Sequence, residues 1–277
     1  MIFIELMGGL GNQLFQIFCG IAYSLENRVA FKIRAHKFDK VSPLDNISSR
    51  PTYWDNFLMN LSPFIYWENI SLSVYREQQV FVHNKIPKLE QNFKIWGYFQ
   101  SYKYFENSYS NIIRMIGLER QQLDIKNKYP QYFGEKTLVS LHFRIGDYMK
   151  NPEMHPIMGI EYYIKALEFL NNRVPSLEVL YFGELTDNKK IYENIKILRE
   201  KFPQINFIQC DYSIPDWEQI LLMSLCVHNI IANSSFSWWG AYFNPNLEKI
   251  VCYPSIWNGS TNNTDDLFPI EWNKIIV

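Results

Sequence analysis

The stretch from Ile2 to Leu25, IFIELMGGLGNQLFQIFCGIAYSL, decides the fold of this chain. Its first residues, Ile2 to Leu6, form an apolar run that predicts a buried strand. A glycine-rich turn follows, and from Leu14 to Leu25 apolar residues recur at helical spacing, which predicts a helix. Val29 to Ile33 then predicts a second strand. Strand, helix and strand in this order form a β-α-β unit with parallel strands.

Regular alternation of strands and helices resumes after Pro130. Between Arg34 and Tyr129 the pattern is irregular, and only a strand from Phe93 to Phe99 is predicted. The predicted strands of the second half are Thr137 to Phe143, Leu177 to Phe182, Ile205 to Gln209, His228 to Ala232 and Lys249 to Tyr253. The predicted helices between them are Ile160 to Asn171, Asn188 to Phe202 and one that starts at the capping sequence Ser213-Ile214-Pro215-Asp216. This alternation is typical of a doubly wound parallel sheet, so the predicted fold class is α/β.

Length and composition narrow the function classes. The 277 residues favour two domains over one, and the 27 basic and 28 acidic residues leave a net charge of -1. This balance provides no basic field for nucleic acid, so no nucleic-acid partner is expected. The four cysteines are scattered through apolar runs, which is typical of core thiols. The N-terminus lacks a basic leader and no apolar run is long enough to span a membrane, so a cytoplasmic protein is expected.

Ligands of parallel α/β sheets bind beyond the carboxyl ends of the strands, and three segments follow predicted strands there. The first is the turn Gly8-Gly9-Leu10-Gly11-Asn12-Gln13, where glycines permit close approach and a helix N-terminus attracts an anion or a polar sugar. A tight turn without a ligand is the alternative. Leu14 stands where the dinucleotide motif requires its last glycine, and the Walker pattern is also missing.

The second segment is His142-Phe143-Arg144-Ile145-Gly146-Asp147. Arg144 would emerge at the edge of the sheet, where a guanidinium suits bidentate contact with a diphosphate. The alternative is a surface ion pair between Arg144 and Asp147, with His142 in the core.

The third segment is Asn233-Ser234-Ser235-Phe236-Ser237-Trp238-Trp239-Gly240. Its hydroxyls and the N–H groups at a helix start would make an anion cradle. Alternatively, Ser234 only caps a helix whose Phe236 and Trp239 are core residues. A hydrolase nucleophile is disfavoured because no G-x-S-x-G elbow surrounds the serines.

Metal chemistry has little support in the sequence. The five histidines show no H-x-x-x-H spacing, and no two aspartates have the D-x-D spacing that would bind a divalent ion together with a sugar nucleotide. Neither a metal nor a cofactor is therefore expected, and arginine and helix dipoles would stabilise a leaving diphosphate.

Five blocks of the sequence together resemble the α-1,2-fucosyltransferases of glycosyltransferase family 11, in the family's order along the chain. They are GGLGNQLFQ at Gly8 to Gln16, GYFQSYKYF at Gly97 to Phe105, HFRIGDY at His142 to Tyr148, LMSLCVHNIIANSSFSWWGAYFNP at Leu222 to Pro245 and DLFPIEWNKI at Asp266 to Ile275.

The resemblance implies a GT-B-like fold with two Rossmann-like lobes that face each other across a cleft. We expect an N-terminal, acceptor-side lobe at residues 1–130 and a C-terminal donor-binding lobe at 131–277. The implied reaction is metal-independent transfer of L-fucose from GDP-β-L-fucose, with inversion, to the 2-hydroxyl of a galactoside. The acceptor would be a galactose-containing oligosaccharide or glycolipid in glycan or surface polysaccharide synthesis, which leaves open a peripheral contact with the inner face of a membrane.

The resemblance also implies roles for individual residues. Arg144 would bind the donor diphosphate, and Asn12 would face the reacting sugar. We name Arg144, Asp147 and Asn12 as catalytic candidates, with Asp147 placed before Glu153 and His155 as the base. The donor-binding candidates are Gly9, Gly11, Gln13, His142, Asn233, Ser234, Ser235, Phe236 and Ser237.

Two departures from the family pattern affect these roles. Ile145 replaces the second arginine of the usual H-x-R-R-G-D, and Phe182 to Asp187 replaces the usual Ser-Asp-Asp after the next strand. We expect Ile145 to point away from Arg144, because side chains alternate along a strand. The alternatives are a fucosyltransferase of another linkage and an inactive GDP-sugar-binding or lectin-like protein. A nicotinamide oxidoreductase is a more distant one.

Overall fold

The computed structural model of the protein describes residues 1–35, 51–259 and 263–277. The chain forms two compact units, unit 1 with Met1–Arg120 and Asn262–Pro269, and unit 2 with Gln121–Thr261 and Ile270–Val277. Both units are α/β with parallel sheets, which confirms the predicted fold class. The assignment of an acceptor lobe to residues 1–130 and a donor lobe to 131–277 stays a prediction.

Unit 1 is built on five described strands, all paired in parallel, in the order β3-β2-β1-β5-β4. The strands are β1 Ile2–Ile4, β2 Phe31–Arg34, β3 Ile65–Tyr66, β4 Ser73–Arg76 and β5 Phe93–Trp96. The α-helices are α1 Leu10–Asn27, α2 Tyr109–Ile116 and α3 Leu118–Lys128, whose C-terminal part belongs to unit 2. Helix α1 packs closely on β1 at Gly20, where no side chain would fit, since an added Cβ would lie 2.2 Å from Ile4 Cδ1.

The predicted β-α-β unit is present with shifted ends. Helix α1 begins at Leu10 instead of Leu14, because Gly9 already has the extended backbone of an N-cap residue. It ends at Asn27, and Arg28 follows in the left-handed conformation with φ 55°. The strand predicted at Phe93 to Phe99 is confirmed as β5, which ends earlier, at Trp96. Helices α2 and α3 and the edge strands β3 and β4 were not predicted.

A segment from the C-terminal part of the chain belongs to unit 1 through specific hydrogen bonds. Asp266 forms an ion pair with Lys103, its carboxylate accepts from the His83 N–H at 2.9 Å, and its carbonyl accepts from Ser101 Oγ at 2.7 Å. These bonds fix the chain beside the 3-10 turn Tyr102–Tyr104.

Unit 2 is built on six described strands, all paired in parallel, in the order β11-β10-β9-β6-β7-β8. The strands are β6 Thr137–His142, β7 Leu177–Phe182, β8 Asn206–Gln209, β9 His228–Ile230, β10 Val251–Pro254 and β11 Asn273–Ile275. The helices are α4 Ile160–Asn171, α5 Asn188–Lys201, α6 Asp216–Leu225 and α7 Ser235–Tyr242. The strands β6 to β10 confirm the five predicted ones to within two residues at each end, and α4 and α5 also lie where predicted.

The capping box predicted at Ser213 to Asp216 is not formed. Helix α6 begins at Asp216, the last residue of that sequence, without a side-chain cap, and Ser213 lies in a preceding turn where its N–H donates to Asp211 Oδ1 at 2.8 Å. Pro215 then stands at the N-cap position.

Among the described residues, no helix combines the length and the apolar character that crossing a membrane requires. The four cysteines are free thiols in the interior, as predicted, and burial raises the pKa of Cys210 and Cys252 to about 12.

Candidate functional site

The carboxyl edge of the unit 2 sheet brings together three polar segments. Strand β6 lies between β7 and β9, so the residues that follow these three strands meet at one edge. Arg144 follows β6, Glu184 follows β7, and Asn233 with Ser234 follows β9. This is the edge at which parallel α/β sheets bind their ligands.

Arg144 is held between two carboxylates. Its Nη1 donates to Glu184 Oε1 and its Nη2 to Asp147 Oδ1, while its guanidinium carbon lies 5.2 Å from the centroid of the Tyr148 ring. The Arg144 side chain is 19% exposed. The surface pair with Asp147 that was the alternative interpretation is therefore present. The guanidinium is also fixed in position at the edge of the sheet, where it could receive an anion.

Tyr148 connects the loop after β6 to the segment after β9. Its hydroxyl donates to the Asn233 carbonyl at 2.8 Å, and its ring stacks on His155 with centroids 4.7 Å apart. The Gly146 N–H donates to Asp187 Oδ2 at 2.8 Å and so ties the same loop to the region after β7. The loop that carries Arg144 is thus anchored on both sides.

His142 is buried beneath this site, next to the ring of Phe236 at 5.5 Å between centroids. Burial, with a smaller contribution from the positive charge of Arg144, lowers the pKa of His142 to about 3. The imidazole is therefore neutral at physiological pH. It can accept or donate a hydrogen bond, but it adds no second positive charge.

The N-terminus of α7 has the form of the predicted anion cradle. Ser234 is its N-cap residue, and Ser234 Oγ accepts from the Phe236 N–H at 3.3 Å. Trp239 is fully buried, whereas Phe236 is partly exposed. The predicted capping role of Ser234 is present, and the cradle and the cap use the same helix start.

Two of the candidates near α7 face the interior instead. Asn233 is 2% exposed and donates from Nδ2 to the carbonyls of Pro156 at 2.8 Å and Trp257 at 3.0 Å. Ser237 is 1% exposed, and its Oγ donates to the Ser234 carbonyl at 3.4 Å. Both side chains hold the local backbone in shape, and Ser235 and Phe236 remain the more accessible candidates.

The candidate residues in the glycine turn of unit 1 are also partly buried and partly accessible. Gln13 is fully buried, and its Nε2 donates to the carbonyls of Gly8 at 3.0 Å and Pro51 at 3.2 Å. Gly11 is buried within α1. Gln13 therefore braces the turn from inside and does not present its amide at the surface.

Asn12 and Gly9 are the more accessible members of the turn. Asn12 is partly exposed, and its Oδ1 accepts from Gln100 Nε2 at 2.7 Å. Gly8 has φ +76°, and a Cβ there would lie 2.4 Å from Asn12 Nδ2. Glycine is thus required at Gly8 both for the backbone conformation and for the position of Asn12.

Ile145 lies outside the site. It is 5% exposed and belongs to the hydrophobic core of unit 2, with Met158 and Tyr162 among the members of that cluster. Its side chain is therefore packed in the core, although strand alternation is not the reason, because β6 ends at His142.

Tyr148 and Glu184 are the site residues that the sequence analysis did not propose. Glu184 directly follows a strand, so the rule that indicated Arg144 could also have indicated Glu184 once β6 and β7 were known as neighbours. Tyr148 ends the block HFRIGDY that carries the family resemblance, but no role was predicted for its side chain.

A second charged cluster, in unit 1, was also missed. Glu5 follows β1, Arg34 ends β2 and Lys94 lies in β5, and the three side chains form ion pairs. Within the described residues, no group of three or more His, Cys, Asp or Glu side chains is arranged to hold a metal ion.

Comparison with known proteins places this chain among glycosyltransferases. It is 28% identical over 295 residues to the alpha-1,2-colitosyltransferase of Escherichia coli, an alignment that covers 98% of this chain and 97% of that protein. It is 29% identical over 191 residues to the O-antigen biosynthesis glycosyltransferase WbnK of Escherichia coli, covering 66% of this chain and 61% of WbnK.

One solved structure supports the architecture. The E. coli ADP-heptose LPS heptosyltransferase II superposes with a TM-score of 0.50 over 99% of this chain and 90% of that chain, at 10% identity, which is evidence of a shared fold only. The profile of glycosyl transferase family 11 matches residues 64–276, more than half of the sequence. The chain belongs to glycosyl transferase family 11.

Proposed function

We propose that the protein is an inverting, metal-independent fucosyltransferase that moves L-fucose from GDP-β-L-fucose to the 2-hydroxyl of a galactoside. The observation that carries the proposal is Arg144, fixed at the carboxyl edge of the unit 2 sheet and linked through Tyr148 to the start of α7. A guanidinium next to a helix N-terminus is suited to a diphosphate.

The donor diphosphate would bind between Arg144 and the first turn of α7. Arg144 donates to Glu184 and Asp147 through its two Nη atoms, so a diphosphate that binds both Nη atoms would compete with these carboxylates. Both carboxylate side chains are well exposed, at 48% and 39%, so they can turn into solvent without a large desolvation change.

The transfer would be a direct displacement. The acceptor 2-hydroxyl attacks the anomeric carbon of fucose, the bond from that carbon to the diphosphate oxygen breaks, and GDP leaves with the electron pair. Arg144 and the helix dipole stabilise the charge on the leaving oxygen. A base accepts the hydroxyl proton.

Asp147 is our first candidate for the base, with Glu153 and His155 on the same loop as alternatives. Asp147 is at the site through its ion pair with Arg144, and His155 is at the site through its stacking on Tyr148. Displacement of Asp147 from Arg144 by the donor would free its carboxylate to accept a proton. Asn12, which we propose as the group that faces the reacting sugar, belongs to unit 1.

The relatives suggest the biological setting and a second donor. WbnK is named for O-antigen biosynthesis, which supports surface polysaccharide synthesis as the setting. A galactose-containing oligosaccharide or lipid-linked acceptor is part of the proposal. The other relative is named for α-1,2 transfer of colitose and aligns over nearly its whole length, so colitose is the second candidate sugar. A GDP-sugar-binding protein without transferase activity is the non-catalytic alternative.

The test is a product analysis with two donors. The protein is incubated with lactose and either GDP-fucose or nucleotide-activated colitose, and the linkage in the isolated product is read by NMR. An α-1,2-fucosylated galactose supports the proposal. If only the colitose donor gives a product, the transferred sugar is colitose and not fucose. A product with another linkage refutes the 2-hydroxyl assignment. Binding of GDP without any product supports the non-catalytic alternative.

A further inference from the structure

Unit 1 carries a pocket of its own on the face of its sheet opposite α1. The pocket has a volume of about 380 Å³. It is lined by Glu5, Leu6, Arg34, Val74, Arg76, Lys94 and Trp96. All of these described lining residues lie in Met1–Arg120. Its volume falls within the about 300 to 1,000 Å³ typical of small-molecule sites.

The described wall of the pocket is positively charged. Three basic side chains, of Arg34, Arg76 and Lys94, stand against the single carboxylate of Glu5. Lys94 Nζ lies 2.9 Å from Glu5 Oε1, and Arg34 Nη1 lies 3.2 Å from Glu5 Oε2. Glu5 therefore holds two of the cations in fixed positions.

The ion pairs of Glu5 with Lys94 and Arg34 are largely shielded from solvent. Lys94 is 7% and Glu5 9% exposed. The hydroxyl of Tyr66, which donates to Glu5 Oε1 at 3.5 Å, has its pKa raised by burial and by the charge of Glu5. Charges with little access to water act on a ligand more strongly than charges in solvent, because screening by water is weaker.

The open side of the pocket is aromatic. Trp96 is 45% exposed, and the guanidinium carbon of Arg76 lies 4.5 Å from the centroid of its ring. Val74 on β4 is 44% exposed and pairs with Lys94 on β5. An exposed indole offers an apolar face to the C–H groups of a sugar ring, and the nearby cations offer hydrogen-bond donors to an acidic substituent.

We infer that this pocket binds an anionic saccharide, a sugar unit that carries a carboxylate or a phosphate. The sugar ring lies against Trp96 and the acidic group is bound by Arg76 together with Arg34 or Lys94. If the proposed function is correct, this anionic saccharide is part of the acceptor, and only this step rests on the proposed function. The acceptor would then carry an acidic unit near the galactose that receives the transferred sugar.

The test is titration calorimetry without a donor, with three probes that differ in charge. These are methyl galacturonide, galactose 6-phosphate and neutral methyl galactoside. We expect the better anionic probe to bind at least about tenfold more tightly than the neutral one, since a charge-assisted hydrogen bond contributes that much. The preference should weaken as salt is raised. Tighter binding of the uronide or of the phosphate identifies which acidic group the pocket takes.

Two variants of exposed residues locate the binding, and one matched control tests its specificity. Arg76→Gln and Trp96→Ala should each weaken binding of the anionic probe about tenfold. Arg114→Gln removes an exposed arginine from α2 and should leave the affinity unchanged. Equal affinity for the three probes, or an anionic preference that survives both pocket variants, overturns the inference.

Titration of GDP into the same proteins separates this inference from the proposed function. GDP affinity should fall in Arg144→Ala and not in Arg76→Gln. If GDP binds in this way and the anionic sugars do not bind, the pocket inference fails while the donor site stands. If GDP binding instead depends on Arg76, the pocket takes nucleotide and both proposals are wrong.

Discussion

Apart from the N-terminus of α7, Arg144 is the group that we propose to stabilise the charge on the leaving diphosphate, and replacement by alanine removes it. Loss of one preorganised donor to a developing oxyanion costs about 3 to 4 kcal/mol of transition-state stabilisation. That corresponds to a fall in kcat of about 10²- to 10³-fold. The structure gives the reason for expecting the full effect, since both Nη atoms of Arg144 are positioned at the sheet edge and the buried His142 beneath it is uncharged.

The fold should survive this change. The two carboxylates that lose their partner are well exposed, and exposed ion pairs contribute about 0 to 1 kcal/mol to stability. The assay is initial-rate transfer from GDP-fucose to lactose at saturating donor, with the melting temperature as a measure of folding. Arg173→Ala is the matched control, because Arg173 is an exposed arginine of unit 2 that stacks on Phe169 away from the sheet edge. An Arg144→Ala protein that keeps most of the wild-type kcat would refute the role of this residue.

Three further predictions concern the surroundings of Arg144. Glu184→Gln should tighten GDP binding about two- to fivefold in calorimetry, because it removes an exposed carboxylate that competes for the guanidinium; weaker binding would show that Glu184 itself contacts the nucleotide. Tyr148→Phe removes the hydrogen bond to the Asn233 carbonyl and should lower stability by about 1 kcal/mol, or the melting temperature by about 2 to 4 °C; an unchanged melting temperature would mean that the hydroxyl does not anchor the loop. The pKa of His142 lies below that of an unfolded histidine, so the unfolded chain takes up the proton first and stability falls with decreasing pH from about 6.5 towards 3. Between pH 6 and pH 5, the free energy of unfolding measured in urea should therefore fall by about 1 kcal/mol less in His142→Gln than in wild type. Equal losses of unfolding free energy would contradict a neutral, buried imidazole.

The fold of unit 2 could be predicted because its strands are buried on both faces. Leu177–Phe182 and Thr137–His142 are almost entirely buried and are followed by helices with clear periodicity, and both strands were located to within one residue. Strand β11 was missed, since Asn273–Ile275 contains one buried residue in three and gives no apolar run.

Unit 1 was harder to predict because its edge strands carry almost no apolar signal. Strand β3 has two residues, and three of the four residues of β4 are exposed. Both strands pair with partners distant in sequence, so only tertiary contacts define them. Part of the stretch that could not be interpreted from sequence, residues 36–50, lies outside the described residues.

The site could be predicted where chemistry follows a recognisable strand. Arg144 and Ser234 each follow such a strand and were placed correctly at its carboxyl end. Glu184 required knowledge of the strand order, and Glu5 required knowledge that β1 lies between β2 and β5. Burial of Gln13 and Asn233 could not be foreseen either, because an amide in a glycine-rich or helix-start segment can face a ligand or its own backbone.

The most direct test of the central claim is a turnover measurement with GDP-fucose and a panel of β-galactosides in the presence of EDTA. Released GDP and fucosylated product are quantified together by mass spectrometry. We expect product in EDTA, with one GDP released for each fucose transferred, and loss of both signals in Arg144→Ala. Turnover that stops in EDTA and returns with a divalent cation would contradict the metal-independent mechanism. Absence of both GDP binding and product would contradict the assignment of the donor.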